Sequence, residues 1–218
     1  MQERSHPTAA HPRLRVHPSA EADRLKRALL AGPPHPADAL RHLHAIAAIL
    51  IARWASPGGS AADAAPVVPL FVLRGGLVLW QPWLDVRGPG PMGVLVPFRT
   101  GHAVDPAIVY GSVPDPPGAR YVLLDVALAS GRTALAACRA LAERVGPPAG
   151  RIDVIAPFVA DRGRELLLER APGARIHCIW HDERVDGEGR MVGPGFDIGE
   201  FALGNSDTSL RWASGREP

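Results

Sequence analysis

Cysteine is scarce in this chain: Cys138 and Cys178 are its only two. That excludes a disulfide framework, and since both lie in apolar stretches they read as buried thiols suited to a reducing compartment. A strong charge bias is also missing. With 24 basic and 22 acidic side chains the formal net charge is +2, which argues against nucleic acid or an anionic membrane surface as a partner. Long hydrophobic runs are absent: the most lipophilic stretch, residues 46–54, falls well short of the roughly 20 residues that span a bilayer. Residues 1–18 carry His, Pro and Arg where a signal peptide would have its apolar core. The expectation is a soluble, cytoplasmic protein with no membrane partner. Internal repeats and coiled-coil heptads are missing, as are the P-loop pattern G-x-x-x-x-G-K-S/T and the G-x-S-x-G elbow of serine hydrolases.

What is present is globular. Apolar residues make up 46% of the chain and charged ones 21%, and the abundant Gly and Pro fall between periodic segments rather than in one low-complexity run. Residues 1–18, with three His-Pro pairs, are expected to form a flexible N-terminal arm, and residues 19–218 one domain. Residues 20–31 and 37–55 have apolar positions at helical spacing. The texture then changes to short apolar runs alternating with helices. Strands are expected at 67–73, 93–98, 107–110, 121–125, 152–157 and 174–180, and helices at 76–84, 133–145 and 161–170. This alternation predicts an α/β fold, a five-stranded, mostly parallel sheet flanked by helices. Ligands of such sheets bind at the carboxyl ends of strands, which directs attention to the loops after Leu73, Phe98 and Asp125.

The most informative stretch is YVLLDVALASGRTALA, residues 121–136. An apolar strand ends in Asp125, small residues make a turn, and a helix begins near Gly131. Small side chains let backbone N–H groups approach a phosphate, and the helix N-terminus adds a favourable dipole. Ser130 and Thr133 supply hydroxyls, and Asp125 is placed for ribose hydroxyls or a metal-bound water. Ser or Thr at this point is equally consistent with ordinary helix capping. Both readings stay open on sequence.

The segment DVALASGRT, residues 125–133, resembles the phosphoribosyl-diphosphate loop DPMLATGGS of the uracil phosphoribosyltransferase family. Other landmarks follow in the same order. LRGGL at 73–77 is similar to LRAGL, VYGSVP at 109–114 to YYxKLP, and IAPFVADRG at 155–163 to the AAPEG region. HDERVDGEGRMV at 181–192 resembles IDxxLNExGYIV, and GPGFDIGEFALG at 193–204 resembles PGLGDAGDRxFG. The shared order, from about residue 17 to 204, is more specific than any one motif.

The resemblance implies a type I phosphoribosyltransferase fold with a C-terminal hood over the site, at about 181–204. It implies transfer of ribose 5-phosphate from phosphoribosyl diphosphate to a ring nitrogen of uracil or a related heterocycle, with Mg²⁺ carried on the donor and few protein ligands for it. Arg74, Gly75 and Arg99 would lie against the diphosphate, the arginines as planar forks for phosphate oxygens. Asp125, Ala127, Ala129, Ser130, Gly131, Arg132 and Thr133 would hold the sugar phosphate. Met191, Val192, Gly195, Phe196, Asp197, Ile198 and Gly199 would cover the base, with Asp197 near the reacting nitrogen. Asp125, Arg99 and Asp197 are the implied catalytic residues, and a homodimer is the implied assembly. The chain departs from the family pattern at Thr100 and Gly101 (an acidic pair), Ser112 (a lysine), Arg132 (a glycine) and Phe196 (a glycine). Three readings therefore stand: a uracil enzyme, an enzyme for another heterocycle, or a non-catalytic nucleotide-binding regulator on the same fold.

Other residues invite and lose a functional reading. His177 and His181 would lie roughly 13 Å apart along one strand, too far to share an ion, so no metal site of protein ligands is expected. His42 and His44 are expected at the surface. Trp80 and Trp83, three apart on a helix, read as core or dimer contacts rather than base-stacking platforms.

Overall fold

The computed structural model describes residues 11–31, 35–56, 65–98, 105–146, 152–185 and 191. Their strands are β1 (Leu14–Val16), β2 (Val67–Val72), β3 (Gly93–Phe98), β4 (Ala107–Ser112), β5 (Arg120–Leu124), β6 (Ala127–Leu128), β7 (Ile152–Ile155), β8 (Phe158–Ala160), β9 (Ala174–Cys178) and β10 (Trp180–Glu183). The helices are α1 (Ala20–Leu30), α2 (Pro36–Ala55), α3 (Trp80–Arg87), α4 (Arg132–Val145) and α5 (Asp161–Arg170), with a 3-10 turn at Gly75–Leu79 leading into α3.

The main sheet has seven strands in the order β1-β9-β7-β5-β2-β3-β4. All neighbours are parallel except β3 and β4, which pair antiparallel. The central strands are buried on both faces, and every residue of β5 is buried, as expected where helices cover both sides of a parallel sheet. Alternation along β5 divides the core. Val122 and Leu124 face α1, α2 and α3, packing with Leu43, Ile46, Leu50, Trp54 and Trp83. Tyr121 and Leu123 face α4 and α5, packing with Leu135, Leu141 and Leu167. The mostly parallel sheet with flanking helices agrees with the sequence expectation, and the strand count is corrected upward from five to seven.

The one strand of the main sheet that none of the expected segments covers, β1, arises at its edge. Leu14–Val16 were expected in a loose arm, but they pair parallel with β9, in register with Ile176, His177 and Cys178. Arg13 fastens this edge, donating to the carbonyls of Ala171 (2.9 Å) and Ala174 (3.2 Å). A run of three apolar or basic residues has no periodicity to detect; what orders it is the open edge of β9.

A second, three-stranded parallel sheet in the order β10-β8-β6 is built from the segments that follow the carboxyl ends of β9, β7 and β5. Residues 174–180 were expected as one strand. The chain instead breaks at Ile179, whose N–H reaches the Pro157 carbonyl at 3.2 Å, so β9 stays in the main sheet and β10 joins this rim. Helix α1 locks onto the rim: Trp180 Nε1 donates to Asp23 at 2.9 Å, and Lys26 pairs with Glu183 with its ammonium 4.6 Å from the Trp180 ring centroid.

Candidate active site

Strand β5 ends in the core, so the residue after it emerges at the sheet's carboxyl edge. That residue is Asp125, half-buried. Its N–H donates to the Ile155 carbonyl at 3.2 Å, continuing the β5–β7 ladder, and its Oδ1 accepts the Val126 N–H at 2.7 Å. Residues 127–128 then form β6 against β8, and the chain turns at Gly131 with φ +76°, a conformation natural only to glycine. Gly131 is the N-cap of α4 and has no side chain to cap it. Neither Ser130 nor Thr133 is therefore the capping residue of α4. The first turn of α4 therefore presents backbone N–H donors and the positive end of the helix dipole beside a small-residue loop.

The loop after β2 closes on this cup. A Cβ at Gly75 would lie 2.1 Å from Asp125 Oδ1, and one at Gly76 would lie 2.7 Å from the Leu124 carbonyl oxygen. The backbone at 74–76 thus sits directly on the end of β5, which brings Arg74, exposed at the mouth, next to Asp125. The Leu73–Arg74 peptide is cis. Arg132, in the first turn of α4, forms an ion pair with Asp105 at 3.4 Å. Ala127, Ala129, Ser130 and Thr133 are all partly exposed along the same loop.

Arg74, Gly75, Asp125, Ala127, Ala129, Ser130, Gly131, Arg132 and Thr133 are thus gathered at one edge of the sheet. Met191 bridges Val185 and is buried at 5% exposure in the core under α2 and α3, so its side chain packs in the core. Arg99, Val192, Gly195, Phe196, Asp197, Ile198 and Gly199, like Thr100 and Gly101, lie outside the described residues. Sequence reading passed over Gly76, the Ile155 carbonyl and Gly163, whose Cβ would lie 2.5 Å from the Ala129 carbonyl oxygen. The detectable signal was a glycine inside the first turn of a helix, where it is unfavourable unless a backbone approaches closely.

A second polar cluster among the described residues lies where α2 meets β7. Asp153, buried in β7, accepts from Trp54 Nε1 (3.1 Å), Arg120 (3.1 Å) and His177 Nε2 (3.2 Å). His177 in turn meets His17 at 3.2 Å. Burial works to raise the Asp153 pKa, but the bonds from His177 and Trp54 and the Arg120 charge outweigh it and hold the carboxyl below its usual range. His177 and His181 do not lie on one strand: His177 is on β9, and His181, on β10, lies 3.5 Å from Arg164. Among the described residues no group of His, Cys, Asp or Glu converges as a metal cage, and no helix is long and apolar enough to cross a membrane. Trp83 packs on Trp54 and Trp80 on Phe71, which makes both core residues. His44 is half-buried rather than a surface residue, its pKa lowered by burial against an opposing effect of Asp85.

Comparison with known proteins decides the family. The profile of the uracil phosphoribosyltransferase family matches residues 48–202. The chain belongs to that family. It is 29% identical over 142 residues to the uracil phosphoribosyltransferase of Nicotiana tabacum, covering 64% of this chain and 62% of that protein. It is also 29% identical over 150 residues to the chloroplastic uracil phosphoribosyltransferase of Arabidopsis thaliana, covering 67% of this chain and 49% of that protein. The chain thus spans about half to three fifths of the length of the curated relatives it matches. Among solved structures, the AQ2163 protein of Aquifex aeolicus superimposes with a TM-score of 0.74 at 17% identity, covering 88% of this chain and 98% of that one. That likeness places the fold. The family match spans the strand-to-α4 cup, the Arg74 loop and the rim strands together.

Proposed function

We propose that the chain transfers ribose 5-phosphate from phosphoribosyl diphosphate to a ring nitrogen of uracil or a related heterocycle. One observation carries this reading: an α4 N-terminus capped by glycine in a left-handed turn, directly after a buried strand, with Asp125 against the Arg74–Gly75 backbone. That arrangement offers converging N–H donors for a sugar phosphate, a carboxylate for the ribose, and a guanidinium for the diphosphate.

The acceptor nitrogen attacks C1 of the ribose, the bond from C1 to the diphosphate oxygen breaks, and pyrophosphate departs with the electron pair. The ring N–H proton passes to solvent. Positive charge grows on the sugar and negative charge on the departing group, so the chain's task is positioning and anion stabilisation. The cup fixes the 5′ end, Asp125 lies beside the sugar, and Arg74 takes charge from the diphosphate. From the resemblance, Arg99 is a second cation there, and the segment containing Asp197 and Phe196 covers the base. Among the described residues no cage of ligands surrounds the half-buried Asp125, which suits Mg²⁺ borne on the donor, where it would screen the diphosphate charge. Assembly as a homodimer, also carried by the resemblance, is checked by sedimentation.

The test is pyrophosphate release from phosphoribosyl diphosphate and Mg²⁺ with a panel of pyrimidines, imidazolones and related rings. Release with uracil supports a uracil enzyme. Release with another ring alone assigns the acceptor, a result that Phe196 in place of a glycine favours. Donor binding without release for any ring replaces the enzyme reading with that of a nucleotide-binding regulator.

A further inference from the structure

We propose that Gly163, on α5 and outside the cup, is a positioning residue that sets where the sugar-phosphate loop stands. Its contacts are with backbone rather than with side chains. A Cβ at Gly163 would lie 2.5 Å from the Ala129 carbonyl oxygen and 2.7 Å from that of Leu128, and one at Gly131 would lie 2.6 Å from the Gly163 carbonyl oxygen. The first turn of α5 and the loop 128–131 are therefore keyed glycine to glycine. Neither surface has a flexible side-chain end that could give way.

The helix cannot easily retreat from an added methyl. Leu167, one turn on, is fully buried. Arg164 is itself buried and ion-paired with Asp161 at 2.8 Å, and β8, which leads straight into α5, is paired with β6 of the loop. Relief must come from the loop, whose Ala129–Gly131 backbone would move outward and carry the N–H donors of the α4 first turn with it. Phosphate recognition by a fixed set of donors tolerates displacements well under 1 Å. The Arg74 side of the site rests on Asp125 and Leu124, so the two halves of the donor should respond differently.

This inference rests on the phosphoribosyl reading, and its test separates the two. Binding of ribose 5-phosphate and of pyrophosphate with Mg²⁺ is measured by calorimetry on the full chain and on Gly163→Ala, alongside thermal unfolding. Gly163→Ala is expected to lose affinity for ribose 5-phosphate by about tenfold or more while pyrophosphate binding is unchanged. Equal losses for both ligands, or no loss for ribose 5-phosphate in a folded variant, overturn the positioning role. If the unaltered chain fails to bind ribose 5-phosphate at all, the phosphoribosyl reading falls, and this proposal with it. Should Gly163→Ala not fold, hydrogen exchange on the unaltered chain decides. Ribose 5-phosphate should then protect amides of the α5 first turn together with those of 126–133, and protection confined to 126–133 overturns the proposal.

Discussion

The carboxylate of Asp125 lies against the α-carbon of Gly75, so closely that a Cβ there would stand 2.1 Å from its Oδ1. Its neighbour Gly76 meets backbone instead, with a Cβ position 2.7 Å from the Leu124 carbonyl oxygen. Two adjacent glycines therefore predict different phenotypes. In Gly75→Ala the Asp125 side chain can rotate away at the loss of its 2.7 Å bond to Val126 N–H, so stability should fall by only about 1 kcal/mol while turnover collapses. In Gly76→Ala the backbone itself must shift, and unfolding should be affected more than in Gly75→Ala. Thermal melts and steady-state rates on both variants check this; equal losses of stability contradict it. Asp125→Asn should likewise cut turnover with little change in melting temperature.

Arg74 is exposed at the cup's mouth, so Arg74→Ala should leave folding nearly intact. If the guanidinium makes a charge-assisted bond to the diphosphate, the loss should be about 1.5–3 kcal/mol, or roughly 10- to 150-fold in donor affinity. Calorimetry with phosphoribosyl diphosphate measures it, and unchanged affinity removes Arg74 from the site.

Acid should loosen the N-terminal edge. Burial first, then the charges of His177, Arg53 and Arg15, push the His17 pKa down to about 4. The unfolded chain's histidine titrates near 6.5. Between these values the unfolded chain binds a proton that the folded one refuses, so this contribution is whole above about 6.5 and declines as pH falls toward 4. Asp153, linked to His17 through His177, has a lowered pKa, and its own contribution fades only below the ordinary carboxylate range. Urea midpoints should therefore fall from pH 7 to 4.5, and His17→Gln should flatten the slope. A midpoint independent of pH over that window would falsify the linkage.

Lys26 is the chain's single lysine, and its ammonium pairs with the buried Glu183 beneath the Trp180 ring. Lys26→Ala leaves a buried carboxylate without that partner and should cost about 2 kcal/mol. Lys26→Arg should not restore it fully, because a planar guanidinium does not fit the space of a compact ammonium. A double-mutant cycle with Glu183→Gln should return a coupling energy of about 1 kcal/mol or more; zero coupling means that the pair contributes nothing to the docking of α1.

Much of the candidate site was legible because its parts are local. An apolar run ending in Asp125, a string of small residues and an alanine-rich helix are consecutive in the chain, and each has a propensity that survives without partners. Gly163 was not legible as a site element: it is distant in sequence from the loop it supports, and only the approach of two backbones gives it meaning. The same holds for His177, whose partners Asp153 and His17 come from other strands and segments. Its placement depends on strand order, which no short-range pattern encodes.

The amino-acid order by itself therefore determined the α/β class, the run of parallel strands and the cup after β5, since hydrophobic periodicity and turn chemistry act over a few residues. Tertiary structure alone decided that Leu14–Val16 close the sheet edge, that the chain breaks at Ile179 to build a rim, and that α5 abuts the loop 128–131. Those outcomes depend on which backbone hydrogen bonds are left unpaired once the core has formed, and that is a property of the assembled sheet rather than of any segment.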